Sequence, residues 1–195
     1  FRLENGNQIA LVGSTGSGKS TIARLISKTY QDYEGSILLN GIELSEISID
    51  DSIHLFSLMM QDVYLFEESV QFNIALGKPE ISPAQVEQAA RYVYADSFIK
   101  QLPGDYDFRL DKNGTNLSIG QTQLISFARA VAQGGQVMIL DEATSSVDSI
   151  TENLIQKAMQ RLFTEKTVIA IAHRLSTVRH SDIILVLEKG EIVEQ

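Results

Sequence analysis

The sequence predicts an α/β fold with a mostly parallel sheet, and three observations support this prediction. Short apolar runs such as Val137 to Leu140 and Thr167 to Ile171 alternate with segments of helical periodicity, as in parallel sheets. The chain has 195 residues, 44% of them apolar, which is enough for one buried core. Its apolar runs are far shorter than the roughly 20 residues that cross a bilayer. We therefore expect one domain over residues 1–195, excised from a longer polypeptide because Phe1 falls directly into folded-domain patterning.

The first elements are predicted to form a unit of strand, loop and helix. Gln8 to Val12 is a short apolar run typical of a buried strand. A run rich in glycine and serine extends from Gly13 to Gly18, and a helical pattern follows from about Ser20 to Tyr30. The glycine-rich loop is therefore expected between the carboxyl end of a strand and the start of a helix.

Two hairpins add antiparallel elements to this fold. Ser36 to Leu39 and Ile42 to Leu44 flank Asn40-Gly41, a dipeptide that favours the positive φ angles of a tight turn. Ile183 to Leu187 and Ile192-Val193 read as a closing hairpin of the same kind. The first pair predicts a small antiparallel element separate from the main sheet.

A helical subdomain is predicted from about residue 62 to residue 132. Within it Ser82, Pro83 and Gln85 have the order of a helix N-cap, a first-turn proline and a capping-box partner. A second helix is expected after Gly120, where apolar residues recur at helical spacing.

Charge and cysteine content limit the classes of partner and cofactor. Sixteen basic residues against twenty-five acidic ones give a net charge of −9, which repels a phosphate backbone, and no cluster of Lys and Arg offsets it. We therefore expect no nucleic acid partner. The absence of cysteine excludes disulfides and thiolate metal sites and is typical of a reducing compartment.

The glycine-rich loop matches the Walker A pattern GxxxxGK[ST] at every position. Glycines let successive backbone N–H groups converge on phosphate oxygens, and the following helix adds its partial positive charge. We expect Lys19 to bridge the β- and γ-phosphates of a nucleotide and the Ser20 hydroxyl to bind Mg²⁺. The alternative is a glycine-rich turn that matches by chance. The predicted nucleotide-binding residues of this segment are Gly13, Ser14, Thr15, Gly16, Ser17, Gly18, Lys19, Ser20 and Thr21.

A second phosphate-site motif follows the strand Val137 to Leu140. The strand ends in Asp141 and Glu142, the pattern of a Walker B site. We expect Asp141 to hold the Mg²⁺ shell and Glu142 to polarise the attacking water. A strand that simply ends in solvated acids is the alternative, and the Walker A match makes it the weaker one.

Other segments narrow the family. Leu117-Ser118-Ile119-Gly120-Gln121 lies upstream of the Walker B strand and resembles the signature LSGGQ of ATP-binding-cassette (ABC) proteins. Gln61-Asp62 resembles their Q-loop, Ser145-Ser146-Val147-Asp148 their D-loop and His173 their H-loop, all in family order. The resemblance covers nearly the whole chain, and two stretches are most similar to exporters of lipids, peptides and drugs. These stretches are Phe66 to Ile74 and Ala172 to Thr177.

The resemblance implies further functional residues. It implies that His173 contacts the γ-phosphate and acts in hydrolysis, and that Gln61 binds Mg²⁺ and nucleotide while touching the membrane-spanning partner. It also implies that Asp148 communicates across a dimer. In the family two such domains pack head to tail, so the nucleotide-contacting residues of the signature act on the partner's ATP. These residues are Ser118, Gly120 and Gln121.

The resemblance also implies a cellular setting. The chain is expected to be the motor domain of an ABC exporter, working with a second nucleotide-binding domain and with transmembrane domains at the cytoplasmic face of the inner membrane. Two other functions stay open at this point. A soluble ABC ATPase of DNA repair or translation usually carries a coiled-coil insertion or a second cassette, which this sequence lacks, and a small-molecule kinase would leave the signature without a role.

The sequence departs from the family at three places. Ile119 replaces the usual glycine of the signature, which is either a weakened ATP site or tolerated drift. The segment Asp111 to Asn116 replaces an acidic, glycine-containing segment that contacts the partner's helices. The aromatic residue that stacks on adenine in the family precedes Walker A, and we expect it to lie outside this sequence.

Overall fold

A computed structural model describes residues 1–60, 63–141, 148–172, 178–179 and 181–195. The chain divides into two compact units. The first comprises Phe1–Leu58, Gly135–Ala143 and Phe163–Gln195, and the second comprises Met59–Gly134 and Thr144–Leu162. Within the described ranges no helix is both long and apolar enough to cross a membrane.

The main sheet has six strands in the order β4, β5, β6, β1, β7, β8. Strand β1 pairs in parallel with β6 and β7, β5 pairs in parallel with β6, and β8 runs antiparallel to β7. A mostly parallel sheet was predicted, and the structure confirms it. The strands are β1 (Gln8–Gly13), β4 (Phe56–Met59), β5 (Val137–Asp141), β6 (Thr167–Ile171), β7 (Ile183–Glu188) and β8 (Glu191–Glu194).

The sheet encloses the core of the first unit. β6 is buried at every position, so its apolar run leaves no polar face, as expected for a strand covered on both sides. Helix α1 (Lys19–Ile26) packs on β1 and β6. The buried apolar side chains of this core come from all these elements: Ile9, Leu11, Ala23, Phe56, Ile139, Ile169, Ile171, Leu185 and Leu187.

The first helix is shorter than predicted. The pattern extended to Tyr30, whereas α1 ends at Ile26. Lys28 adopts a left-handed backbone with a φ of 57°, which stops the helix, and its ammonium donates to the carbonyl oxygen of Leu44 at 2.9 Å. The side-chain periodicity could not reveal this stop because the residues that follow are still helix-compatible in type.

The antiparallel element is confirmed where it was predicted. β2 (Leu38–Leu39) and β3 (Ile42–Glu43) form a separate two-stranded sheet. Asn40 and Gly41 both have positive φ angles, of 52° and 83°, as a tight turn requires. Helix α2 (Ile49–Leu55) follows, and its N-cap Ser48 accepts a hydrogen bond from the N–H of Asp51.

The second unit is helical. It contains α3 (Val70–Ala75), α4 (Pro83–Tyr92), α5 (Asp96–Ile99), α6 (Ile119–Gln133) and most of α7 (Ser149–Glu165). The predicted capping box of α4 is present, with Ser82 and Gln85 exchanging hydrogen bonds. Helix α6 packs against α3 and α4. Residues 63–69, which were predicted to begin the helical pattern, form no helix.

Candidate functional site

The predicted phosphate loop joins β1 to α1. Gly13 ends the strand with a φ of 150°, and a Cβ at this position would lie 2.3 Å from the carbonyl oxygen of Leu187 and 2.7 Å from Ser17 Oγ. Only glycine fits so close an approach. Gly18 caps α1 with a left-handed φ of 104°. The first-turn N–H groups of α1 have no partner within the helix, so they are available to an anion.

Lys19 lies over this loop. Its ammonium donates to the carbonyl oxygens of Gly13 and Ser14, each at 2.9 Å, and to Ser17 Oγ at 3.3 Å. The residue is only 5% exposed. A positive charge held at the rim of a concave run of backbone N–H groups can bind an anion of high charge, such as a polyphosphate.

A hydroxyl and a carboxylate meet beside the loop. Ser20 Oγ, in the first turn of α1, donates to Asp141 Oδ2 at 3.2 Å. Asp141 ends β5, which lies two strands from β1 in the sheet, and it is buried. Its second oxygen, Oδ1, is buried and has no hydrogen-bond partner in the described structure. The structure thus brings together two residues that are 121 positions apart in the sequence and that were both predicted to bind a metal.

The remaining loop residues are partly open to solvent. Ser14, Thr15, Gly16 and Thr21 are exposed, whereas Ser17 is buried. The N–H of Ser17 donates to the carbonyl oxygen of Ser14 at 3.1 Å, closing a turn inside the loop. The exposed residues are therefore accessible to a ligand, and the buried Ser17 closes the turn that supports them.

The signature segment begins α6 in the second unit. Ser118 is the N-cap, and its Oγ accepts from the N–H of Gln121 while Gln121 Oε1 accepts from the N–H of Ser118. Gln121, predicted to contact nucleotide, therefore has its side chain in a capping box. Ile119 is 54% exposed, so the side chain that replaces the family glycine points away from the packed interior and leaves the cap intact. Gly120 is buried.

Asp148 caps helix α7. Its Oδ1 accepts from the N–H of Thr151 at 2.9 Å, and its carbonyl oxygen accepts from the N–H of Glu152 at 2.9 Å. The hydrogen bond from the Thr151 backbone, followed by one from its side chain, lowers the pKa of the exposed Asp148 carboxyl. This capping role does not exclude a second role across an interface.

Three predicted site residues lie outside the described residues. They are Gln61, Glu142 and His173. Their assignments remain predictions from the sequence. Among the described residues, the phosphate loop and Asp141 lie in the first unit, and the signature cap and Asp148 lie in the second.

The comparison with known families decides the identity. The family model described as "ABC transporter" matches residues 1–145. The chain belongs to the ABC transporter family.

Relatives place this ABC domain among ATP-binding proteins of exporter type. It is 45% identical over 195 residues to an ATP-dependent lipid A-core flippase of Legionella pneumophila (strain Paris). It is 42% identical over 192 residues to a fatty acid ABC transporter ATP-binding/permease protein of Mycobacterium bovis. The matches cover 100% and 98% of this chain but only 33% and 30% of those relatives. The chain thus spans about a third of their length.

A solved structure confirms the fold. A bacterial Atm1-family ABC exporter with ATP bound superposes with a TM-score of 0.90 and 37% sequence identity, covering 100% of this chain and 34% of that one. The mostly parallel sheet with a P-loop, a small antiparallel sheet and helices is the ABC ATPase fold. The chain is therefore an ATP-binding ATPase domain of the ABC family.

The last hairpin supports the phosphate loop through a contact that the sequence did not predict. In the turn between β7 and β8, the N–H of Gly190 donates to the carbonyl oxygen of Ser17 at 3.0 Å. This turn was predicted only as a closing hairpin. The pairing of β7 with β1, which ends at the loop, is the signal that could have linked the two, but strand order cannot be read from local patterns.

Proposed function

We propose that this domain binds and hydrolyses MgATP as the motor of a membrane exporter. The observation that carries the proposal is the pairing of Ser20 with Asp141 beside a phosphate loop whose Lys19 is held over its concave face. The match to exporter-type ABC proteins supports the coupling of hydrolysis to export.

Mg²⁺ fits the oxygen atoms beside the loop. A hard divalent cation prefers carboxylate, hydroxyl and phosphate oxygens, and the orphaned buried Oδ1 of Asp141 is a group whose burial calls for a partner. Ser20 would bind the ion directly and Asp141 would hold its shell, mostly through water. When bound, the ion neutralises charge on the phosphate oxygens.

The side chains and backbone groups of the chain would each have a separate role in hydrolysis. Lys19 and the first-turn N–H groups of α1 bind and orient the phosphates, so the γ-phosphoryl group is held for in-line attack. Glu142 would accept a hydrogen bond from the attacking water and so polarise it. His173 would stabilise the charge on the γ-phosphoryl oxygens, and Gln61 would complete the ligands of the ion.

A second domain is proposed to complete the site. Ser118 Oγ accepts a hydrogen bond within its own cap, which leaves the hydroxyl hydrogen free to donate to a phosphate oxygen of a partner's ATP. The signature N–H groups and the dipole of α6 favour the same anion. ATP would favour the closed pair and loss of the γ-phosphate would release it. The pair would act with transmembrane domains at the cytoplasmic face of the inner membrane, without nucleic acid.

One experiment tests both the proposed Mg²⁺ site and the proposed ATP hydrolysis. In the full-length protein in lipid vesicles, we expect ATP hydrolysis with water as acceptor to stop when EDTA removes Mg²⁺. Asp141→Asn should raise the Mg²⁺ concentration for half-maximal hydrolysis by about tenfold or more, because a shell partner of the ion loses its charge. The measurement is phosphate release against Mg²⁺ concentration.

Asp182→Asn is the matched control. Asp182 is another aspartate of the first unit, and its Oδ2 accepts from the N–H of Gln8 at 2.8 Å, a bond that an asparagine oxygen can also accept. Its Mg²⁺ requirement should equal that of the wild type. Hydrolysis that continues in EDTA, or an unchanged Mg²⁺ requirement in Asp141→Asn, contradicts the proposal.

Substitutions at Asp148 can separate its role as a helix cap from its proposed role across the dimer interface. Because a hydrogen bond lowers its pKa below the ordinary 3.8, the cap contributes fully to stability above pH 3.8 and is lost only as the pH falls below it. Asn also caps helices, whereas Ala does not. We expect Asp148→Asn to keep the neutral-pH unfolding temperature but lower ATPase activity by about tenfold, and Asp148→Ala to lower both. An Asn variant with wild-type ATPase would show that Asp148 acts as a cap alone.

A further inference from the structure

Arg129 is a half-buried cation whose hydrogen bonds, within the part of the chain that the structure describes, are to oxygen atoms of neutral groups. In the second unit its Nε donates to the carbonyl oxygen of Asn73 at 2.8 Å, its Nη1 to the carbonyl oxygen of Tyr64 at 3.0 Å and its Nη2 to Asn73 Oδ1 at 3.4 Å. Across the described part of the chain no carboxylate lies within 4.0 Å of this guanidinium. Burial lowers its pKa to about 10.

Asn73 extends the same network. Its side chain is fully buried, and Nδ2 donates to the carbonyl oxygens of Phe66 and Ser69, each at 3.0 Å, while Oδ1 accepts from the N–H of Phe66 at 2.8 Å. Together the two side chains bind backbone atoms at residues 64, 66 and 69. We call this pair the Arg129–Asn73 clamp.

The clamp joins two segments that the family resemblance marks as functional. Tyr64 is three residues beyond Gln61, and Arg129 lies on α6, whose first turn carries the signature. Eleven residues separate Ser118 from Arg129, which corresponds to about 16 Å of continuous helix. A displacement of the backbone at Tyr64 is therefore transmitted to the signature if the guanidinium fork remains bound.

Stability alone does not explain an arginine at this place. Even partial burial of a charge without a carboxylate partner costs free energy, and apolar residues of similar volume often pack as well or better. Its neighbours Ala128 and Ala130 are buried and apolar. What arginine supplies is a rigid planar fork whose donors have fixed relative directions, which the single ammonium on the flexible stem of lysine does not have.

We propose that Arg129 and Asn73 are positioning residues of the ATPase cycle, which hold the segment 64–69 and the signature helix α6 together as one rigid body. The clamp carries displacements of the chain next to Gln61 to Ser118, and so places the signature against a partner's ATP. This inference rests on the proposed function, since it assigns a path within the same composite site. Neither residue belongs to the phosphate loop or to the signature segment.

The kinetic test uses Arg129→Lys in the full-length protein. Lysine keeps the charge and the helix propensity but lacks the fork. We expect kcat for ATP hydrolysis to fall by about tenfold or more while KM for ATP stays within about twofold, because the phosphate loop is untouched and the signature is misplaced. Arg91→Lys is the matched control, since Arg91 is an arginine of the same unit whose ion pairs with Glu87 and Asp96 are on the surface, and its kcat should not change.

Two results of this assay would overturn the inference. One is a wild-type kcat, and the other is a fall in kcat that matches the unfolded fraction at the assay temperature. If Arg129→Lys does not fold, Arg129→Met, which removes the half-buried charge, is read by the same criteria.

A distance measurement tests the rigid body directly. The chain has no cysteine, so spin labels at introduced cysteines replacing Glu67 and Thr122 are unique within it once cysteines elsewhere in the polypeptide are replaced. With the clamp intact we expect one narrow distance distribution, the same with and without MgATP, and Arg129→Lys should broaden it. An equally narrow distribution in the variant overturns the inference. Because this readout needs no hydrolysis, it also separates failure of the clamp from failure of the proposed ATPase.

Discussion

Replacing Lys19 with Met should lower kcat/KM for ATP by about 100-fold or more, equivalent to about 2.7 kcal/mol of lost transition-state stabilisation. The ammonium is almost completely buried and is held by the carbonyl oxygens of Gly13 and Ser14, so it is already oriented over the loop. Met fills the space of the aliphatic stem but supplies no charge for the β- and γ-phosphates. The measurement is steady-state phosphate release together with ATP affinity from calorimetry.

The fold should survive this substitution. The carbonyl oxygens that lose the ammonium belong to exposed residues, so water can replace it, and the unfolding temperature should fall by no more than about 4 °C. Lys28→Met is the matched control because Lys28 also donates to two backbone carbonyls, of Leu44 and Ile47, but follows the other end of α1. Its ATPase should equal that of the wild type. A Lys19→Met variant with normal ATP affinity and turnover would refute the role of the loop.

The phosphate site shows how far the sequence alone could lead. Walker A is local: its glycines, lysine and serine lie within eight residues, and their spacing determines where each group points. The contact of Ser20 with Asp141 spans 121 positions, yet it was predictable because each residue follows its own buried strand in a sheet whose carboxyl ends share one edge. Motifs that begin at strand ends are therefore placed together by the topology.

The network around Arg129 shows what the sequence could not provide. The two shorter hydrogen bonds of its guanidinium are to backbone carbonyls, and any residue type carries a carbonyl, so these contacts leave no pattern in the sequence. The one available signal was a charged residue between two alanines in an apolar helix. The early end of α1 is a similar case, because the ammonium of Lys28, whose backbone is left-handed, donates to the carbonyl oxygen of Leu44, which is distant in sequence.

Helix ends within the signature and D-loop segments were more predictable. Ser118 with Gln121 satisfies the spacing of a capping box, and the structure contains that box. The capping box also offers a second explanation for Ser118 and Gln121. Residues that match a family motif for nucleotide contact can be present because they cap a helix. Substitutions that preserve a cap while removing a charge are therefore the informative ones.

Glu142→Gln should separate ATP binding from hydrolysis. Glu142 follows Asp141, whose carboxylate lies at the carboxyl end of β5 with one oxygen that has no hydrogen-bond partner among the described residues. A glutamine at the next position keeps the size and most hydrogen bonding but cannot polarise water as a general base, so kcat should fall by about 100-fold or more. ATP affinity should change little because Lys19 and the loop are unaltered.

The same variant tests the paired arrangement, because ATP that is bound and not cleaved should hold two domains together. In the full-length protein with MgATP we expect light scattering to show a stable dimer, or spin labels at introduced cysteines replacing the exposed Ile150 of paired domains to approach, and ADP should reverse either change. Glu188→Gln is the control, since Glu188 is an exposed carboxylate that also ends a parallel strand, β7, and it should hydrolyse ATP normally. If Glu142→Gln hydrolyses ATP at the wild-type rate, another group activates the water. If the variant binds MgATP but its domains never approach, the head-to-tail pair is refuted, while the proposed phosphate site is not.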